Sequence, residues 1–144
     1  TYTDIILQID KGTIVPKITC ISTDKNIFES KALAKAFFVG NPNPFSEQIV
    51  KLFGAHATTI VNYAAQQKFV GEMGTTLTLP LEHDGKIITV IVLGLGSDKS
   101  NEGIPVENYR RAIGSLVRLA ENLKLDTIAL QLPFTLVPSV THAY

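Results

Sequence analysis

The chain has 144 residues, 45% of them hydrophobic, enough for one domain that buries roughly 70% of the surface its unfolded form exposes. Thirteen basic and thirteen acidic side chains cancel, which excludes the basic excess that marks nucleic-acid or anionic-membrane binding. One cysteine, Cys20, excludes an internal disulfide and suits a reducing compartment, and the longest apolar run, IITVIVLGLG, is too short to span a bilayer.

In chain order, DIILQI (residues 4–9) and KITCIS (17–22) read as β-rich runs, separated by turn residues around Gly12 and by Pro16. Cys20, inside the second run, reads as a buried packing thiol. FESKALAKAFF (28–38) has helical spacing, with Ala32, Leu33, Ala36 and Phe37 on one face. Pro42 and Pro44 then forbid regular structure, and Ser46 with Glu47 starts a helical stretch over 46–67 that is interrupted near Gly54.

TTLTLPL (75–81) alternates polar and apolar residues, as a half-buried strand does, and Pro80 restricts its pairing. His83-Asp84-Gly85-Lys86 carries the Asp-Gly signature of a tight hairpin, so the apolar run that follows, KIITVIVLGLG (86–96), returns antiparallel as a strand covered on both faces. Val106, Tyr109, Ile113, Leu116, Val117, Ala120 and Leu123 keep a helical rhythm, with Pro105 at the first turn, Glu107 near the positive end and Lys124 near the negative end. DTIALQLP (126–133) is another buried strand. Strand, helix and strand in succession form a βαβ unit with parallel strands. The expectation is a single α/β domain, a mixed β-sheet flanked by helices.

The glycines after the apolar strand invite a phosphate-loop reading. A dinucleotide fingerprint needs glycine at the first, third and sixth positions, and here Gly94 and Gly96 match while Lys99 fills the sixth. The helix begins only near Pro105, so its amides do not back the loop. This favours structural glycines over a phosphate site. His56, His83 and His142 are far apart in sequence, none with a second His or Cys at ligand spacing, and read as surface or capped histidines. Asp4, Asp10, Asp24, Asp84, Asp98 and Asp126 are scattered, mostly in turns. The chain has no Gly-x-Ser-x-Gly elbow, and Cys20 has no activating neighbour in sequence. Thr58, Asn62 and Gln66 share one helical face, either a polar groove or the exposed side of an amphipathic helix. Arg110, Arg111, Arg118 and Lys124 read as a solvated helix face. No catalytic, cofactor-binding or metal residue emerges.

Four motifs in order nevertheless form a pattern. Phe69-x-Gly71-x-x-Gly74 precedes the Thr/Leu strand, and Gly94-Leu95-Gly96 follows the apolar one. Asn108-Tyr109-Arg110-Arg111-Ala112 with Gly114 opens the helix, and Ala129-Leu130 with Leu132-Pro133 closes the series. Over residues 69–133 this resembles the N-terminal domain of the leucine aminopeptidase family, the cytosolic two-metal aminopeptidases. The resemblance implies a macro-domain-like fold, with residues 1–144 forming an accessory domain of a longer cytoplasmic protein. Thr1 in place of an initiating Met and the Pro-interrupted end at Tyr144 agree with a piece of something longer.

It also implies that the chemistry lies elsewhere. In this family a larger C-terminal domain holds two divalent metals (zinc or manganese), the catalytic Lys and Arg and the bicarbonate. Its Asn-Thr-Asp-Ala-Glu-Gly-Arg signature does not occur in these residues, so no family site residue is carried over. The parent would remove N-terminal amino acids, preferably Leu, from peptides and assemble as a hexamer. This domain's partners would then be its own catalytic domain and other subunits, with no membrane or nucleic acid. The alternative is a free-standing macro-like module for ADP-ribose or a related nucleotide.

Overall fold

A computed structural model describes residues 2–6, 17–21, 26–40, 44–97 and 104–131. Strands β1 (Tyr2–Ile6), β2 (Lys17–Ile21), β3 (Ala34–Val39), β4 (Thr76–His83), β5 (Lys86–Gly94) and β6 (Thr127–Gln131) form one sheet in the order β1-β2-β6-β3-β5-β4. The four inner strands are mutually parallel, and β1 and β4 pair antiparallel at the two edges. Helices α1 (Glu47–Phe53), α2 (Ala57–Gln66) and α3 (Val106–Leu123) complete the α/β domain.

The sheet separates two cores. On one side Tyr109, Ala112, Ile113, Leu116 and Ala120 of α3 pack on Ile18, Ala34, Ala36, Ile91 and Leu93. On the other, Phe53 of α1 with Ile60 and Ala64 of α2 pack on Phe37, Val39, Val90 and Val92. Residues 90–95 are buried without interruption, as a strand covered on both faces requires.

The hairpin forms as its residues demand. Asp84 and Gly85 take φ of 50° and 78°, the two left-handed positions of a type I′ turn, and His83 pairs with Lys86. Gly94 N–H donates to the Thr75 carbonyl. Counting back by twos from that bonded pair puts Pro80 where an N–H would point away from β5, so β4 pairs past its proline only because it is an edge strand. Ser46 caps α1, its hydroxyl accepting from Ile49 N–H at 3.4 Å. Gly54 (φ 58°) ends α1, and a 3₁₀ turn, Gly54–His56, leads into α2, so the interruption falls where the sequence places it.

Residues 28–38 are not the expected helix. After a 3₁₀ turn, Ile27–Glu29, the chain extends into β3, with all six residues buried between β6 and β5. A short run buried on both faces has no polar side to reveal its period, and its three alanine and lysine residues favour helix locally. Tertiary packing decides otherwise. Ala34 and Ala36 lie under α3, where small side chains admit Tyr109 and Leu116. Leu123, expected on the buried face of α3, is 44% exposed as the last residue of the helix, where Lys124 (φ 55°) ends it. The βαβ unit is parallel as expected, but β3 lies between β5 and β6, so α3 crosses over an intervening strand.

Candidate functional site

In open α/β sheets ligands settle outside the carboxyl ends of the parallel strands. Here β3 ends at Val39 and Gly40, and β5 ends at Gly94, Leu95 and Gly96. The segment from Phe69 to Thr75 folds into that position. Gly94 N–H donates to Thr75 O at 2.9 Å, Leu95 N–H to Val39 O at 2.9 Å and Gly96 N–H to Gly71 O at 3.0 Å. All three amides of the Gly94–Gly96 run are thus bonded to the chain itself.

The glycines are required by this closure. A Cβ on Gly94 would strike the Glu72 carbonyl, and one on Gly71, whose φ is +81°, would strike the Gly40 carbonyl. From the other side Asn108 Nδ2 donates to Leu95 O at 2.8 Å, tying the first turn of α3 to the same loop. Lys99, the sixth position of the fingerprint, lies outside the described residues.

The remaining sequence candidates disperse. Thr58, Asn62 and Gln66 are exposed on α2, opposite buried Ile60 and Ala64, so they form its solvent face. Arg110, Arg111, Arg118 and Lys124 are likewise exposed on or after α3. Glu107 lies 4.0 Å from Arg110 and 3.6 Å from Arg111, surface pairs of small energetic weight. Cys20 is buried on β2. Asp84 lies in the β4–β5 turn beside His83, Asp126 precedes β6, and His142, Asp10, Asp24, Asp98 and the Asp4 side chain lie outside the described structure. Among the described residues no group of three or more His, Cys, Asp or Glu gathers to hold a metal ion, and no helix is long and apolar enough to cross a membrane.

Two features escape sequence reading. His56 and His83, 27 positions apart, meet with His56 Nε2 2.9 Å from His83 Nδ1. The Gly54–His56 turn presents one ring and the β4–β5 hairpin the other. Phe28, placed by Asn26 whose Oδ1 accepts the Phe28 N–H at 3.0 Å, lies against both, with ring centroids 4.9 and 5.5 Å away. Burial, and secondarily His83, holds the His56 pKa below its usual value. An open cavity of ≈ 580 Å³ over the pair is also lined by Lys51, Glu82 and Asp84. No local spacing signals such a pair, because only the fold brings turn and hairpin together.

The second feature is Lys35, 1% exposed at the second position of β3. Its Nζ donates to Ser30 O at 2.6 Å, and burial lowers its pKa to about 8. On α3, burial pushes the Tyr109 phenol up to about 12.

The model of the cytosol aminopeptidase family, N-terminal domain, matches residues 36–141. No curated protein sequence matches the chain. Among solved structures, the K354E mutant of tomato leucine aminopeptidase superposes with a TM-score of 0.56 at 17% identity, over 80% of this chain and 23% of that one. The chain thus spans about a quarter of the tomato enzyme's length. The macrodomain of Thermus aquaticus DarG superposes with a TM-score of 0.58 at 15% identity, over 87% of each chain. Both likenesses are of fold, and the second makes the architecture macro-like.

Proposed function

This chain belongs to the cytosol aminopeptidase family as its N-terminal domain, and from that premise we propose that it is a non-catalytic accessory domain of a two-metal leucyl aminopeptidase in the cytoplasm. The metals, zinc or manganese, and the peptide substrate would belong to a catalytic domain beyond these residues, where the metals would activate water and polarise the peptide carbonyl. This domain's part is structural: it docks on that catalytic domain and supports a hexamer.

The carrying observation is the closed strand end. Among the described residues, the ends of β3 and β5 are covered by residues 69–75, with the Gly94, Leu95 and Gly96 amides all engaged. That weighs against the free-standing ADP-ribose module and favours a scaffold. The test is hydrolysis of leucyl-p-nitroanilide with added manganese. The 144-residue chain is expected to be inactive, and turnover by the purified chain would overturn the reading.

A further inference from the structure

We propose that His56 and His83 form a binding site for a late first-row divalent cation such as nickel(II) or copper(II), with His56 Nε2 and His83 Nδ1 as its two protein ligands. This goes beyond the accessory-domain reading and does not depend on it.

The geometry is the first support. Two nitrogens at adjacent corners of a square-planar or tetragonal ion with bonds of about 2.0 Å are about 2.8 Å apart, and at corners of a tetrahedron about 3.3 Å. The observed separation is 2.9 Å, close to the first value, and imidazole nitrogens suit copper and nickel.

The surroundings are the second. The Asp84 carboxylate lies 3.6 Å from His83 Nε2. That is too long for a hydrogen bond but close enough to favour the proton on Nε2, which leaves Nδ1 as the lone-pair nitrogen. Metal-bound histidines commonly have such a carboxylate behind the ring. Phe28 braces both rings, so little side-chain freedom is lost on binding. Glu82 and Asp84 against Lys51 leave the cavity wall with one net negative charge, and the opening admits water to the remaining coordination positions. With the His83 proton on Nε2, the 2.9 Å contact is a hydrogen bond from His56 Nε2–H to His83 Nδ1, and a metal ion would take the place of that proton, which shifts to His56 Nδ1.

Nickel chloride titrated into the tag-free chain, followed by calorimetry and thermal melting, tests the assignment. A single saturable site that raises Tm is expected. His56→Asn and His83→Asn should each abolish it, His142→Asn should retain it, and Asp84→Asn should weaken it about tenfold. Proton NMR of the unaltered chain removes any dependence on the variants folding: substoichiometric nickel should broaden the imidazole resonances of His56 and His83 together. Absence of nickel binding, binding that survives both asparagine variants, or broadening confined to His142 would overturn the proposal.

Discussion

Lys35 makes the stability of this domain rise with alkalinity. Its amine has a pKa of about 8 in the fold against the ordinary 10.5, because the side chain is buried in β3 with the Ser30 carbonyl as partner. Below pH 8 both folded and unfolded chains carry the proton, and the folded chain bears the full penalty of a buried ammonium, about 3 kcal/mol. Between pH 8 and 10.5 the folded amine is neutral while the unfolded one is still charged, so the penalty is progressively relieved. Urea unfolding at pH 7 and pH 10, for the natural chain and for Lys35→Met, isolates this effect. The stability of the natural chain minus that of the variant should increase by about 2–3 kcal/mol across the interval. Tyr109, whose raised pKa lowers stability at still higher pH, titrates in both proteins and subtracts out. A difference that stays flat would refute the claim that Lys35 is buried as an ammonium at neutral pH.

The closed strand end makes Gly94→Ala severe. Its Cβ meets the carbonyl of Glu72 rather than a movable side chain, so the expected loss is about 3 kcal/mol or more in urea unfolding, and a variant as stable as the parent would contradict the packing. Gly114→Ala is the opposite case. Its Cβ would find only Arg118 Nη1 at 3.7 Å in the middle of α3, so stability should rise by about 1 kcal/mol, read as an increase in Tm. Calorimetry with ADP-ribose should be silent, and saturable micromolar binding would revive the module reading.

Most of the fold was readable where local chemistry and tertiary environment agree. The Asp-Gly hairpin needs only its own two residues, and α3 has a polar face throughout, so the helical period shows. Residues 28–38 failed for the converse reason: β3 lies between two strands and two helical layers, and burial on all sides erases periodicity. The missing sixth glycine argues for structural glycines in the loop, and the structure gives a stronger ground in the carbonyls of Val39, Gly71 and Thr75 that take its amides. Family motifs in residues 69–133 carry the family assignment, and the family model over residues 36–141 agrees with it. The His56–His83 contact and the buried Lys35 depend on which strand neighbours which turn, and no short window of sequence contains that.

The position of β6 gives the domain an unusual dependence on its last described strand. Among the described strands, β2 pairs only with β1 and β6, so the first two strands join the rest of the sheet solely through a segment made more than a hundred residues later. Until residues 127–131 have been synthesised and inserted beside β3, the paired β1 and β2 have no sheet to join. The hydrophobic faces of Ile18, Cys20 and Ile21 wait with it. Folding of this domain during translation is therefore a late event, and a chain cut short before Gln131 would leave two unjoined pieces of one sheet.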